Sequence, residues 1–151
     1  MTAATTATTP PADARMLGLA HYAARAVLES VLVRHGVGFQ QQITLRPVAV
    51  AAGPVDRGQL AADTAAALKV DEDSAQGTID ELITAGLLGA DASDVRITDA
   101  GRELFERITK ETSAASARIW GDLPEEDLLA AGRVLSLVTE RANAELATVT
   151  G

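Results

Sequence analysis

Ser74, Gln76 and Thr78 stand at alternate positions in the stretch DEDSAQGTIDELITAGLL, residues 71 to 88. Two hydroxyls and a carboxamide are groups that pair with base edges in a DNA groove. The same stretch holds Asp71, Glu72, Asp73, Asp80 and Glu81 and has no Lys or Arg. It is therefore equipped to read bases but not to neutralise phosphates, which supply most non-specific DNA affinity. The cations placed to contact a backbone lie on either side of it in the chain: Arg57, Lys69 and Arg96.

Other chemistries are poorly provided for. With no Cys there is neither a disulfide framework nor a thiolate metal site. The only imidazoles, His21 and His35, are almost four turns apart on one predicted helix and cannot share a metal within a chain. Neither has a nucleophile at a motif spacing, and the glycines form neither a phosphate loop nor a dinucleotide fingerprint. No catalytic residue, metal site or cofactor is expected, and the chain does not read as an enzyme. His21 with Tyr22, Phe39, Phe105 and Trp120 are candidates to line a cavity for a small aromatic ligand. In a chain with so few aromatics they equally suit core or interface anchors.

The elements that must position these residues follow from apolar spacing and end signals. Residues 1–13, rich in Thr, Ala and Pro, read as a disordered tail rather than a secretory signal. From Met16 to about His35 there are two apolar rows at helical spacing, one with Leu17, Ala20, Ala24, Leu28, Val31 and Leu32 and one with Leu19, Ala23, Ala26 and Val27. A helix with two faces to bury needs a partner beyond its own core. A second helix is expected over about 42 to 52, with Pro47 kinking it or marking its first turn. Asp56 with Gln59 has capping-box spacing for a third helix, and Asp71 is the expected N-cap of a fourth that buries Ala75, Ile79, Leu82 and Ile83 and stops at Gly86. Leu87 and Leu88 begin a strand, GADASD turns, and VRIT returns, making a two-stranded wing. Thr98 caps a long fifth helix, and Pro124 with its three acids opens a sixth. The order is α-α-α-α-β-β-α-α, mainly α with a small β-wing, and the third and fourth helices have helix-turn-helix geometry. No later apolar run looks long enough to span a bilayer, so no membrane partner and a cytoplasmic location are expected.

With this order, GQLAADTAAALKVDEDSAQGTIDELITAGLL, VRITDAGRELF and DLPEEDLLAAGRVLSLV resemble the MarR family of bacterial winged helix-turn-helix transcription regulators. The resemblance covers nearly all of residues 14–151 as one domain. It implies a homodimer built by residues 14–53 and 99–151, and a DNA-binding lobe over 54–98. It also implies an inverted-repeat operator on double-stranded DNA, with recognition helices in successive major grooves roughly 34 Å apart. Many members release DNA on binding a small aromatic compound. The DNA contacts assigned on this basis are Arg57, Lys69, Ser74, Gln76, Thr78 and Arg96.

Family members commonly carry Arg at the positions of Gly77 and Glu81 and have a longer, basic wing tip. Residues 54–98 hold three basic against nine acidic side chains, a balance of −6 within a total of −8. Arg96 either enters a minor groove or pairs with Asp91 or Asp94. The fourth helix is either a recognition helix or a retained scaffold helix with an acidic solvated face. In the second case the chain is a dimer of this type that has lost DNA binding and serves as a small-molecule or protein-binding module.

Overall fold

The computed structural model describes residues 9–151; the first eight positions of the expected tail lie outside the described residues. The tail ends functionally at Asp13, whose carboxylate accepts the Met16 amide at 2.7 Å and caps α1 (Ala14–Arg34). Then come α2 (Phe39–Val50), β1 (Val55–Asp56), α3 (Arg57–Leu68), α4 (Glu72–Thr84), β2 (Leu88–Asp91), β3 (Asp94–Ile97), α5 (Asp99–Trp120) and α6 (Glu125–Val149). The chain divides into two compact units, the first ending at Thr112 and the second running from Ser113 to Gly151.

In the first unit, α3 and α4 begin where their capping signals place them. Asp56 accepts the Gln59 amide and Asp71 the Ser74 amide, both at 2.7 Å. Their inward stripes, Leu60, Ala61 and Ala65 from α3 and Ala75, Ile79 and Leu82 from α4, meet Leu45 and Val48 of α2 and Leu88 and Val95 of the strands in one core. Phe105 of α5 packs against it. A smaller cluster joins Val31, Leu32 and Val37 to Leu104 and Ile108.

Three expectations need correction. The sheet has three strands, not two: Val55 and Asp56 pair antiparallel with Val95 and Asp94, giving the order β1-β3-β2. Two residues are too few for an alternation signal, so this strand was silent in the sequence. The turn of the wing is confined to Ala92 and Ser93, and the rest of GADASD is paired strand. Helix α2 starts at Phe39, and Pro47 lies well inside it rather than in its first turn, where it leaves the Ile43 carbonyl without its helical donor and crowds it. A fourth difference concerns α1. Its 21 residues do reach the length and apolarity of a bilayer-crossing helix. Alanines and leucines on both rows supply that apolarity, although His21, Arg25 and Glu29 sit among them.

The junction between α4, the wing and α5 is the tightest part of the unit. Helix α4 ends in a Schellman turn: the Gly86 amide donates to the Ile83 carbonyl and the Leu87 amide to that of Leu82. The reversal puts Gly86 at a φ of 75°, which a residue with a Cβ adopts only at a cost. The Thr98 hydroxyl then donates to the Gly86 carbonyl at 2.6 Å and accepts the Gly101 amide at 3.0 Å, so one side chain caps α5 and ties it to the end of α4. At Gly101 a Cβ would overlap the Leu87 carbonyl and press on Ile97. At the other end of this unit, Glu111 of α5 is gripped by Arg34 and, at 2.8 Å, by His35 Nε2. The Arg34 hydrogen bond first, and the His35 contact second, hold its carboxyl below the usual range.

In the second unit, Ser113–Gly151, Pro124 precedes α6, and Glu125, Glu126 and Asp127 occupy its first turn, favourable against the helix dipole. No residue of α6 is buried, and Leu129, Val134, Leu135, Leu137 and Val138 are exposed along it.

Two outcomes are expected. Gly101→Ala forces either α5 or the Leu87 carbonyl to move, at a cost of about 1–3 kcal/mol measured by denaturant unfolding; an unchanged midpoint with an unchanged slope would refute the close approach. Glu111→Gln destabilises the protein at neutral pH, where the carboxylate is ionised and paired. Because the folded-state pKa is depressed, that contribution is present above the ordinary Glu value of about 4.3 and is lost as pH falls through the lower folded value. Parallel melts of the two proteins should therefore converge in acid, and a gap that persists there would mean that packing, not charge, is what Glu111 supplies.

Candidate nucleic-acid interface

Helix α4 buries Ala75, Thr78, Ile79 and Leu82 and leaves Glu72, Asp73, Ser74, Gly77, Asp80, Glu81 and Thr84 exposed, with Gln76 at the margin. Ser74, exposed, and Gln76, half-buried, thus flank the buried Ala75 on its two sides at the helix start, the part of a helix-turn-helix that enters a groove. Thr78 does not join them. It is 6% exposed and its hydroxyl donates to the Ser74 carbonyl at 3.1 Å, so its placement among base-reading residues is corrected. A position four residues after Ser74 on a helix shares its side, but Thr78 lies one step toward the core stripe of Ala75 and Ile79.

Ser74 is drawn into the cap: its hydroxyl donates to Asp71 at 3.1 Å while its amide donates to the same carboxylate. These two bonds, the amide first, lower the Asp71 pKa. The hydroxyl oxygen keeps its acceptor capacity outward. Glu72 and Asp73 follow in the first turn, favourable toward the positive end of the helix.

Arg57 is the organising side chain of this face. Its backbone amide donates to the Ser93 carbonyl in the wing turn at 2.9 Å, linking the start of α3 to the wing. Its guanidinium crosses to α4, where Nε donates to Gln76 Oε1 and Nη2 to Asp80 Oδ1, each at 2.8 Å. Two residues expected to contact DNA separately, Arg57 and Gln76, are therefore hydrogen-bonded to one another. With its carbonyl side occupied by Arg57, Gln76 presents its carboxamide N–H groups.

Lys69 ends α3 in the left-handed region at a φ of 57°, is exposed, and makes no ion pair among the described residues. Arg96 stands on β3 with Nη1 3.9 Å from Asp91, a contact too long for a hydrogen bond and between exposed groups. Of its two expected partners, Asp91 is the one within reach, and an exposed pair of this kind contributes about 0–1 kcal/mol.

Two features went unread in the glutamine run 40 to 42. Gln41 Oε1 accepts the Gly38 amide at 3.0 Å, and its nitrogen donates to Glu81 at 3.0 Å, joining α2 to the outer side of α4. Gln42 is buried at 8% exposure, and its Oε1 has no hydrogen-bond partner among the described residues. The residues proposed to line a ligand cavity are used in different ways. His21 and Tyr22 meet edge to face with centroids 5.4 Å apart on exposed α1, and Phe39 lies under the Arg25 guanidinium at 4.1 Å. Phe105 is committed to the core, and Trp120, in the second unit, is half exposed.

No family model and no curated protein matches this sequence. Solved structures do. Ligand-free NadR superposes with a TM-score of 0.71 over 88% of this chain and 98% of its own, at 23% identity. CouR from Rhodococcus jostii RHA1, bound to p-coumaroyl-CoA, gives 0.69 over 82% and 88% at 22% identity. A MarR-family transcriptional regulator from Rhodococcus sp. RHA1 gives 0.66 over 82% and 89% at 20% identity. With six helices and a small antiparallel sheet among the described residues, and these neighbours, the chain has the winged-helix fold of the MarR-family transcription regulators.

Proposed function

We propose that the chain is a DNA-binding transcription regulator of the MarR type, a cytoplasmic homodimer that responds to a small aromatic ligand and has no enzymatic activity. The observation that carries this reading is the placement of Ser74, exposed, and Gln76, at the margin, at the start of α4, the second helix of the helix-turn-helix, with Arg57 braced against Gln76. Lys69 and Arg96 supply further exposed cations for phosphates on either side of α4.

Homodimerisation is supported by apolar surface. Leu17, Leu19, Tyr22 and Val27 on α1 and Leu129, Val134, Leu135, Leu137 and Val138 on α6 are exposed in the single chain. Rows of exposed apolar side chains on a helix suit an interface, and a second copy is the partner a winged-helix regulator needs to address two half-sites of an inverted repeat. The same partner accounts for the apolarity of α1 without a bilayer. Residues 14–53 and 99–151 then serve as the dimerisation region and 54–98 as the DNA-binding lobe.

The ligand reading has two supports. NadR has been solved with 4-hydroxyphenylacetate and CouR with p-coumaroyl-CoA. In this chain the unpartnered Gln42 Oε1 is a buried acceptor one turn after Phe39, suited to a phenolic hydroxyl donor. The acidity of the lobe favours a regulator with few phosphate contacts, whose affinity falls only shallowly with salt.

The test is binding of the purified protein to duplex DNA from its own upstream region and to a random-sequence library, over a salt series. Selective binding with a shallow slope is expected. Gln76→Ala should remove about 1–3 kcal/mol of discrimination between sites rather than affinity for all of them. Asp80→Asn, which releases Arg57 and removes a negative charge from the same face, should tighten binding and steepen the salt slope by about one. Failure to select any sequence at low salt would sink the regulator reading and leave a dimeric ligand- or protein-binding module.

A further inference from the structure

Ser74 and Gln76 each carry both a hydrogen-bond donor and an acceptor, and the fold engages one of the two in each. The Ser74 hydroxyl proton goes to Asp71 at 3.1 Å, which leaves the oxygen as an acceptor. The Gln76 carbonyl oxygen takes Arg57 Nε–H at 2.8 Å, which leaves the N–H groups of Nε2. The second assignment is forced by chemistry. A guanidinium has no acceptor, so only the oxygen end of the carboxamide can face it; turning the amide over would set donor against donor.

Arg57 is fixed for this task. Its backbone amide is bonded to Ser93 in the wing turn, and Nη2 donates to Asp80, one turn beyond Gln76 on α4, at 2.8 Å. Because the guanidinium is planar and rigid, these anchors also set the plane in which Nε meets the Gln76 oxygen. Gly77, the next residue on α4, is exposed, and nothing stands within 4 Å of where its Cβ would be. A base edge can therefore approach the helix closely beside Gln76.

Base edges in the major groove differ in the polarity they offer. Adenine is read by a glutamine that accepts from N6 and donates to N7, cytosine N4 needs an acceptor, and guanine presents the two acceptors N7 and O6. A Gln76 whose oxygen is engaged matches guanine and leaves the N6 donor of adenine unanswered. We propose that Arg57 is a positioning residue that sets the base specificity of Gln76, so that Gln76 reads guanine. The proposal rests on the regulator reading and deepens it.

The experiment selects duplexes from a random-sequence library with the full chain, with Gln76→Ala and with Arg57→Met, and sequences the bound pools. The position whose preference collapses in Gln76→Ala is the one that Gln76 reads. Guanine is expected there in the unaltered protein, and any other base overturns the proposal. In Arg57→Met the released oxygen should move that position from guanine toward adenine by about fivefold or more, with preferences elsewhere kept. Guanine retained there, or preference flattened at every position alike, overturns the proposal, because a loss of packing alone does not exchange one base for another. Circular dichroism checks the fold of Arg57→Met. If that fold is lost, Gln76→Glu takes its place: it keeps an oxygen for Arg57 and removes both donors, so guanine should give way to cytosine, and guanine retained is the overturning result. A protein that selects sequences without any position dependent on Gln76 refutes the proposal and leaves the regulator reading standing. One that selects no sequence at low salt refutes both.

Discussion

The close approach of α5 to the Leu87 backbone is the constraint on which the lobe depends. Thr98 and Gly101 act on the same short segment from two sides: the hydroxyl accepts the α5 amide and donates to the Gly86 carbonyl, while the missing Cβ lets the helix backbone sit against Leu87. A Schellman turn with Gly86 in the left-handed region aims the chain from α4 into β2. The consequence is that α4, the wing and the start of α5 share one fixed geometry. That geometry sets the wing beside α3, where the Arg57 amide meets Ser93. Positions that look unrelated in the chain thus become a single surface through one helix contact.

The acidity of the lobe looks different once its carboxylates are placed. Asp56 and Asp71 are occupied as caps, and Glu72 and Asp73 lie in the first turn of α4, where the helix dipole favours them. Asp80 is tied to Arg57 and Glu81 to Gln41. Most of the negative charge therefore has a local structural use. It still contributes to the field met by an approaching polyanion, because capping does not remove charge. The same residues that begin α4 firmly weaken its attraction for phosphate, and the two demands meet at Ser74, which serves the cap and faces outward.

Features that act within a few residues were legible in the sequence. The caps at Asp56, Asp71 and Thr98, the Gly86 stop and the opening of α6 are signals of three to five residues, and each element began or ended as they indicated. Pairings across long stretches of chain were not. Arg57 with Asp80, Gln41 with Glu81, and Arg34 and His35 with Glu111 join elements 23, 40, 77 and 76 residues apart, and no local pattern encodes them. Strand β1 was too short to show a period, and Thr78 was misplaced because one helical step decides between the core stripe and the margin. Gln42 was invisible for the opposite reason, since a glutamine in a polar run gives no hint of burial.

The bond between Arg57 and Asp80 shows why likeness of fold leaves function to be argued from side chains. A partly exposed ion pair contributes little to stability, and exchanging Asp80 for a phosphate oxygen would cost the protein correspondingly little. Arg57 is thus neither a free cation nor a buried structural one. Its Nε bond to Gln76 can persist while the other face of the guanidinium changes partner, because the fork offers separate donors to each. A helix face rich in carboxylates and poor in cations can hold one arginine in a fixed register in this way and still present a low background attraction to a polyanion. On the proposed reading the acidity of α4 would act on selectivity before affinity: phosphate contacts that do not distinguish sequences would be kept few, and contacts from Gln76 and Ser74 would carry a larger share of the binding.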